Sequence, residues 1–187
     1  MGAIDYDTEF VEAGPNYPIR LLSIGMVADN GDELYRILGD FTTLHAATRH
    51  PWLREHVVPS LPLKLDDSWP LGFTYDTGHP DYKLVRTRED LAEEVLDFIR
   101  IHGGDDVELW AWYGAYDHVA LCQLWGTMAD LPEGVPMYTH DLKQEADRYG
   151  AILPDLPGAV SHRAIDDARE CQFRRRWLAG QSREGLL

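Results

Sequence analysis

Apolar and polar positions alternate along Ile4–Phe10 with the period of a strand, so that Asp7 and Glu9 project from one face while Ile4, Tyr6, Thr8 and Phe10 occupy the other. Arg20–Ala28 is an apolar stretch of strand length, and Asn30-Gly31 after it has the composition of a tight hairpin turn leading to a return strand at Glu33–Leu38. These three segments predict an antiparallel meander. Residues 43–50 carry a weak helical pattern, and from Pro51 to Asp81 repeated prolines and glycines exclude long elements. Trp52, Trp69, Phe73 and Tyr75 in that stretch predict a packed excursion rather than a linker.

The clearest helix opens at Thr87, whose side chain can cap the backbone with Asp90 reciprocating. It buries Leu91, Val95, Phe98 and Ile99 and stops at Gly103-Gly104. Val107–Tyr113 has almost no polar alternation and reads as a central strand covered on both faces. A helix from about Tyr116, a short strand at Pro136–His140, a helix at Leu142–Tyr149 closed by Gly150, and a last helix from near Ala164 complete the order. A meander followed by alternating helices and strands predicts an α/β protein with a mixed sheet, in which ligands sit at the carboxyl ends of strands.

Composition narrows this picture. With 187 residues, 44% of them hydrophobic and six of them Trp, residues 1–187 suit a single folded domain. Cys122 and Cys171 fall in apolar helical patterns and read as reduced core residues. No apolar run reaches membrane length, the acidic start lacks signal-peptide features, and Tyr6 stands where a myristoylation signal needs Ser or Thr, so the expected location is cytoplasmic, away from membranes. A net charge of −15 excludes binding nucleic acid by general attraction to phosphate, but leaves room for a site that takes one terminal nucleotide. Basic residues gather late in the chain, at Arg163, Arg169, Arg174, Arg175, Arg176 and Arg183.

Two carboxylates on one strand face, about 6.5–7 Å apart at the backbone, can converge on a hard cation. Taken alone, Asp7 and Glu9 are better explained by an edge strand with a solvated acidic face. Asp117 opens a helix whose apolar stripe is Ala120, Leu121, Leu124 and Met128, and it leans toward that stripe as either a helix cap or a ligand. In His162-Arg-Ala-Ile-Asp-Asp167, five helical steps would set the histidine and the last aspartate roughly 140° apart. They can share a site if His162 lies on the loop before the helix and Asp167 projects from its second turn. Ala164 and Cys171, three before and four after, place Asp167 beside the buried stripe, whereas Asp166 faces more outward.

Asp7-Thr8-Glu9, Asp117 within Trp112–Leu121, and His162 through Asp167, in this order, resemble the three motifs of the DEDDh family of 3'-to-5' exonucleases, which includes oligoribonuclease and RNase T. The Asp-Thr-Glu-Phe opening and Trp112-Tyr113-Gly114 look most like the small actinobacterial 3'-to-5' exoribonucleases. The resemblance implies an RNase H-like mixed five-stranded sheet flanked by helices, with the first three strands antiparallel and the others parallel to the first. It also implies that Asp7, Glu9, Asp117 and Asp167 hold two Mg²⁺ or Mn²⁺ ions about 4 Å apart. His162 would be the general base, with Glu9 beside it in catalysis. Asp7, Thr8, Glu9, Phe10 and His162 would contact the RNA 3' end, releasing nucleoside 5'-monophosphates from a homodimer. A DNA 3'-to-5' exonuclease would share every metal ligand, and a non-catalytic acidic module holding a structural cation would leave His162 without a role.

Overall fold

The computed structural model describes residues 2–66, 68–158 and 162–183. Its strands are β1 (Ala3–Val11), β2 (Arg20–Ala28), β3 (Glu33–Leu38), β4 (Leu63–Leu65), β5 (Phe73–Tyr75), β6 (Val85–Arg86), β7 (Glu108–Ala111) and β8 (His140–Asp141). Its helices are α1 (Phe41–Arg49), α2 (Pro51–His56), α3 (Arg88–Gly103), α4 (Ala115–Cys122), α5 (Leu142–Tyr149) and α6 (Ala164–Arg183).

The main sheet runs β6-β3-β2-β1-β7-β8. β1, β2 and β3 form the expected antiparallel meander, and β7 and β8 add parallel to β1. The sheet has six strands rather than five, because Val85–Arg86 pairs parallel with β3, a contact too short for any periodicity to announce. β4 and β5 pair in a separate small hairpin within the proline-rich excursion.

Helices cover both faces. Ile4, Tyr6, Ile24 and Met26 pack with α3 and α4 residues such as Leu91, Val95, Ile99 and Leu121. Leu22, Val27 and Ile37 pack on the other side with Leu44 of α1 and Ala164, Ile165 and Ala168 of α6. β1 therefore lies inside the sheet, and its odd positions Asp5, Asp7 and Glu9 look toward the α6 layer.

Local signals explain several boundaries. α1 begins at Phe41, two residues ahead of the expected stretch, because Asp40 caps it by accepting from the Thr42 backbone N–H. Thr87 caps α3 by accepting from the Asp90 N–H, and the Asp90 carboxylate accepts from the Thr87 hydroxyl in return. α3 and α5 stop at Gly104 and Gly150, both at positive φ, 68° and 64°, where glycine is favoured. β7 corrects the expectation of a doubly buried strand: Leu109 and Ala111 are buried, but Glu108 and Trp110 are half-covered. It has only two-residue β8 outside it, and β8 itself is His140–Asp141 rather than Pro136–His140. Cys122 and Cys171 are free, buried thiols.

Candidate active site

The cleft forms where β1, α4 and α6 meet. One oxygen each from Asp7, Glu9 and Asp167 lies within 4.8 Å of the others. Asp7 and Glu9 reach it from alternate positions of β1, and Asp167 from the first turn of α6 rather than the expected second, because the helix starts only at Ala164; it lies on the side expected from its spacing to Ala164 and Cys171. Asp166 points elsewhere, accepting from Arg163 at 3.0 Å and also from Arg169.

Asp117 lines the same cleft but stands apart from that trio. It sits in the first turn of α4, buried, and does not cap the helix. Its Oδ1 accepts from both the backbone N–H and the hydroxyl of Thr8, at 2.9 and 2.6 Å. Thr8, between the two acidic residues of β1, thus ties α4 to the strand. Phe10 stacks on Tyr116 of α4 with centroids 6.2 Å apart, past a register break between Glu9 and Phe10 that turns the end of the strand.

His162 precedes α6 at φ 66°, a left-handed conformation that costs a non-glycine residue and is concentrated at functional sites. Its backbone N–H donates to Asp167 Oδ2 at 2.8 Å, and its carbonyl accepts from Ser60 Oγ at 3.3 Å. The ring meets Trp52 edge-on at 4.8 Å and lies 5.5 Å from His56, so α2 of the excursion walls this side of the cleft. The loop placement required for His162 and Asp167 to share a site is the one observed.

Electrostatics distinguish the cluster. Burial, then the neighbouring carboxylates Asp117, Glu9 and Asp167, raise the Asp7 carboxyl well above its ordinary value. Glu9 is pushed up to about 8 by burial and by Asp167 and Asp117. Asp167 and Asp117 are raised chiefly by burial, against hydrogen bonds from His162 and Thr8 that favour the charged form. Converging hard oxygen donors raised by one another fit a divalent cation, which removes the repulsion on binding.

Several contributors were not visible in the sequence. Gly25 pairs with Asp7 across β1 and β2, and a Cβ there would come within 2.4 Å of the Ala164 and Ile165 backbone. Only glycine lets the start of α6 descend onto the sheet beside Asp7; an isolated glycine in an apolar strand is the signal that marks such an approach. Trp52, His56, Trp112 and Glu170 are further walls. The basic run separates: Arg174 lines the cleft, Arg175 is committed to buried Asp5 and to Asp29, and Arg176 reaches the Asp29 carbonyl. The side chain of Arg183 lies outside the described residues.

No protein-family model matches the chain. It is 43% identical to two curated proteins of Mycobacterium tuberculosis, the 3'-5' exoribonucleases Rv2179c of strain H37Rv and MT2234.1 of strain CDC 1551, over 91% of this chain and 88% of each relative. Escherichia coli exonuclease I, solved with a dT13 oligonucleotide, superposes with a TM-score of 0.55 at 8% identity, over 98% of this chain and 42% of that one. Schizosaccharomyces pombe Pop2p, in its Mg²⁺- and Mn²⁺-bound form, gives 0.50 at 14% identity over 97% and 83%. The mixed sheet with helices on both faces is the RNase H-like fold these structures share.

Proposed function

Because the chain belongs to the family of the mycobacterial 3'-5' exoribonucleases, we propose that it hydrolyses RNA from the 3' end, releasing nucleoside 5'-monophosphates. The observation that carries this reading is the convergence of Asp7, Glu9 and Asp167, from two elements distant in sequence, into one group of oxygens in an open cleft.

Asp7, Glu9 and Asp167, with Asp117 beside them, would hold two Mg²⁺ or Mn²⁺ ions. When bound, the ions supply positive charge to the scissile phosphate and make water a better nucleophile. The protein's own groups do the rest. Thr8 fixes one oxygen of Asp117 and leaves the other for the cleft. His162 takes the proton of the attacking water, a task an imidazole suits near neutral pH. Its backbone bond to Asp167 and the Trp52 edge keep the ring at the cleft. Phe10 offers an apolar face to the terminal nucleotide, and Asp7, Thr8 and Glu9 run beneath it. We place the protein in the cytoplasm and as a homodimer.

Matched RNA and DNA oligomers with free 3' ends, incubated with Mn²⁺ and with EDTA, test the proposal. The expected result is stepwise mononucleotide release from RNA, abolished by chelation while the circular dichroism spectrum persists. Faster release from DNA would make the protein a DNA exonuclease, and unfolding on chelation would make the cation structural.

A further inference from the structure

Five carboxylates line the cleft, Asp7, Glu9, Asp117, Asp167 and Glu170, and one Lys or Arg side chain among the described residues joins them: Arg174. The divalent ions proposed above would answer the scissile phosphate, but a further phosphate of a strand entering a protein of net charge −15 calls for a fixed cation of its own. Arg175 and Arg176 do not serve, being tied to Asp5 and Asp29. Arg174 is built differently.

Asp167, Glu170, Cys171 and Arg174 form one stripe of α6 along the cleft, spaced three, four and seven residues from the first. Glu170 holds the Arg174 guanidinium at 2.9 Å, and the guanidinium lies 5.0 Å from the centroid of the Trp112 ring. These two contacts orient the planar group before any ligand arrives. Glu170 stands between it and Asp167, so the guanidinium addresses a neighbour of the reacting phosphate rather than that phosphate itself. Among the described residues its remaining side-chain partner is Asp155, at 2.7 Å, whose side chain is 88% exposed; its Nε also donates to the Pro154 carbonyl at 3.3 Å. An ion pair of that kind is held in water and is weak.

We infer that Arg174 binds a phosphodiester of the RNA strand, exchanging exposed Asp155 for a phosphate oxygen while Glu170 and Trp112 keep the guanidinium in place. A 3'-terminal nucleotide ends in a hydroxyl, so the only phosphate next to the scissile one lies upstream. Arg174 therefore reads strand length: it rewards a substrate with at least two phosphodiesters. This rests on the exoribonuclease reading above.

The test compares a dinucleoside monophosphate, which has only the scissile phosphate, with the trinucleotide that has one more. The wild type should prefer the trinucleotide in kcat/KM, and Arg174→Met should lose about tenfold of that preference, the size of one charge-assisted hydrogen bond. The salt dependence of trinucleotide KM should become shallower by about 0.7 in log–log slope, as for one lost phosphate contact on a single strand. Asp155→Asn should move the preference the other way, about twofold upward, because it frees the guanidinium. If Asp155→Asn instead lowers the preference as Arg174→Met does, the bond is a strap for the 150–158 loop and the inference is wrong. Equal losses on both substrates in Arg174→Met would overturn it too. Should the methionine variant fail to fold by circular dichroism, the direction of the Asp155→Asn change decides alone. A wild type that releases nucleotide from neither RNA refutes the exoribonuclease reading itself, a result separate from a preference that fails to respond to these changes.

Discussion

Asp5 and Asp7 stand two residues apart on the same face of β1, and the protein treats them in opposite ways. Asp5 is fully buried and meets a guanidinium: Arg175 of α6 donates to both its oxygens at 2.8 Å and to Asp29 at 2.7 Å. Asp7 meets further carboxylates, and its pKa is raised first by burial and then by Asp117, Glu9 and Asp167. The same helix supplies the partner in both cases, a cation just past its middle and an anion near its start. The fold can pair a carboxylate on this strand with a cation, and two residues later it gathers carboxylates instead. Such a cluster is costly unless something positive joins it, which is why it reads as a site and Asp5 as a structural tie.

The sharpest way to break the comparison is to neutralise each member in turn. Asp7→Asn should lower turnover on the order of 10³-fold or more while the metal-free protein melts no lower than wild type, since a repulsive charge is removed. Asp5→Asn should do the reverse, keeping turnover within a few-fold but costing about 3 kcal/mol in denaturant titration, because Arg175 is left half-paired. Equal effects in both assays would erase the distinction.

A smaller effect is expected from moving the helix without changing any charge. Gly25→Ala places a methyl group against the Ala164 and Ile165 backbone, so the start of α6 must lift from the strand position opposite Asp7. Asp167 moves with it, whereas Asp5 and Arg175 lie farther along. A misplacement near 1 Å at the reacting groups costs roughly 10²-fold in rate. Turnover at wild-type level would show that the close approach does not position the site.

The smallest effect is on stability against pH. Glu9 has an ordinary value of 4.5 and is pushed up to about 8 in the folded protein, so the folded state holds its proton more tightly than the unfolded chain does. That stabilisation is complete below the unfolded value and is lost as pH rises through the folded one. The melting temperature of EDTA-treated protein should therefore fall by a few degrees between pH 5.5 and 8.5, and Mn²⁺ should flatten the profile. A metal-free profile as flat as the Mn²⁺ profile would mean that the carboxylates do not repel one another as described.

Much of this was legible in the chain because it depends on neighbours in sequence. Alternation put Asp7 and Glu9 on one face, and the stripe through Ala164 and Cys171 chose Asp167 over Asp166. Asn30-Gly31, Gly103-Gly104 and Gly150 fixed where elements turn or stop. What escaped was what depends on partners from elsewhere. The three arginines at 174–176 look alike as a run, yet Arg174 lines the cleft, Arg175 is consumed by a carboxylate 170 positions away, and Arg176 binds a backbone carbonyl. Trp52 and His56 came from a stretch with no periodicity to read, and β6 from a two-residue pairing.

By itself, then, the sequence determined the order of the longer strands and helices and the faces on which the acidic residues lie, since helix and strand geometry follow from local backbone preferences and the spacing of apolar side chains. Only the tertiary structure decided which carboxylate is paired with a cation and which is set among other carboxylates, because that depends on how closely α6 descends over Gly25 and on which of its side chains then lies above each residue of β1.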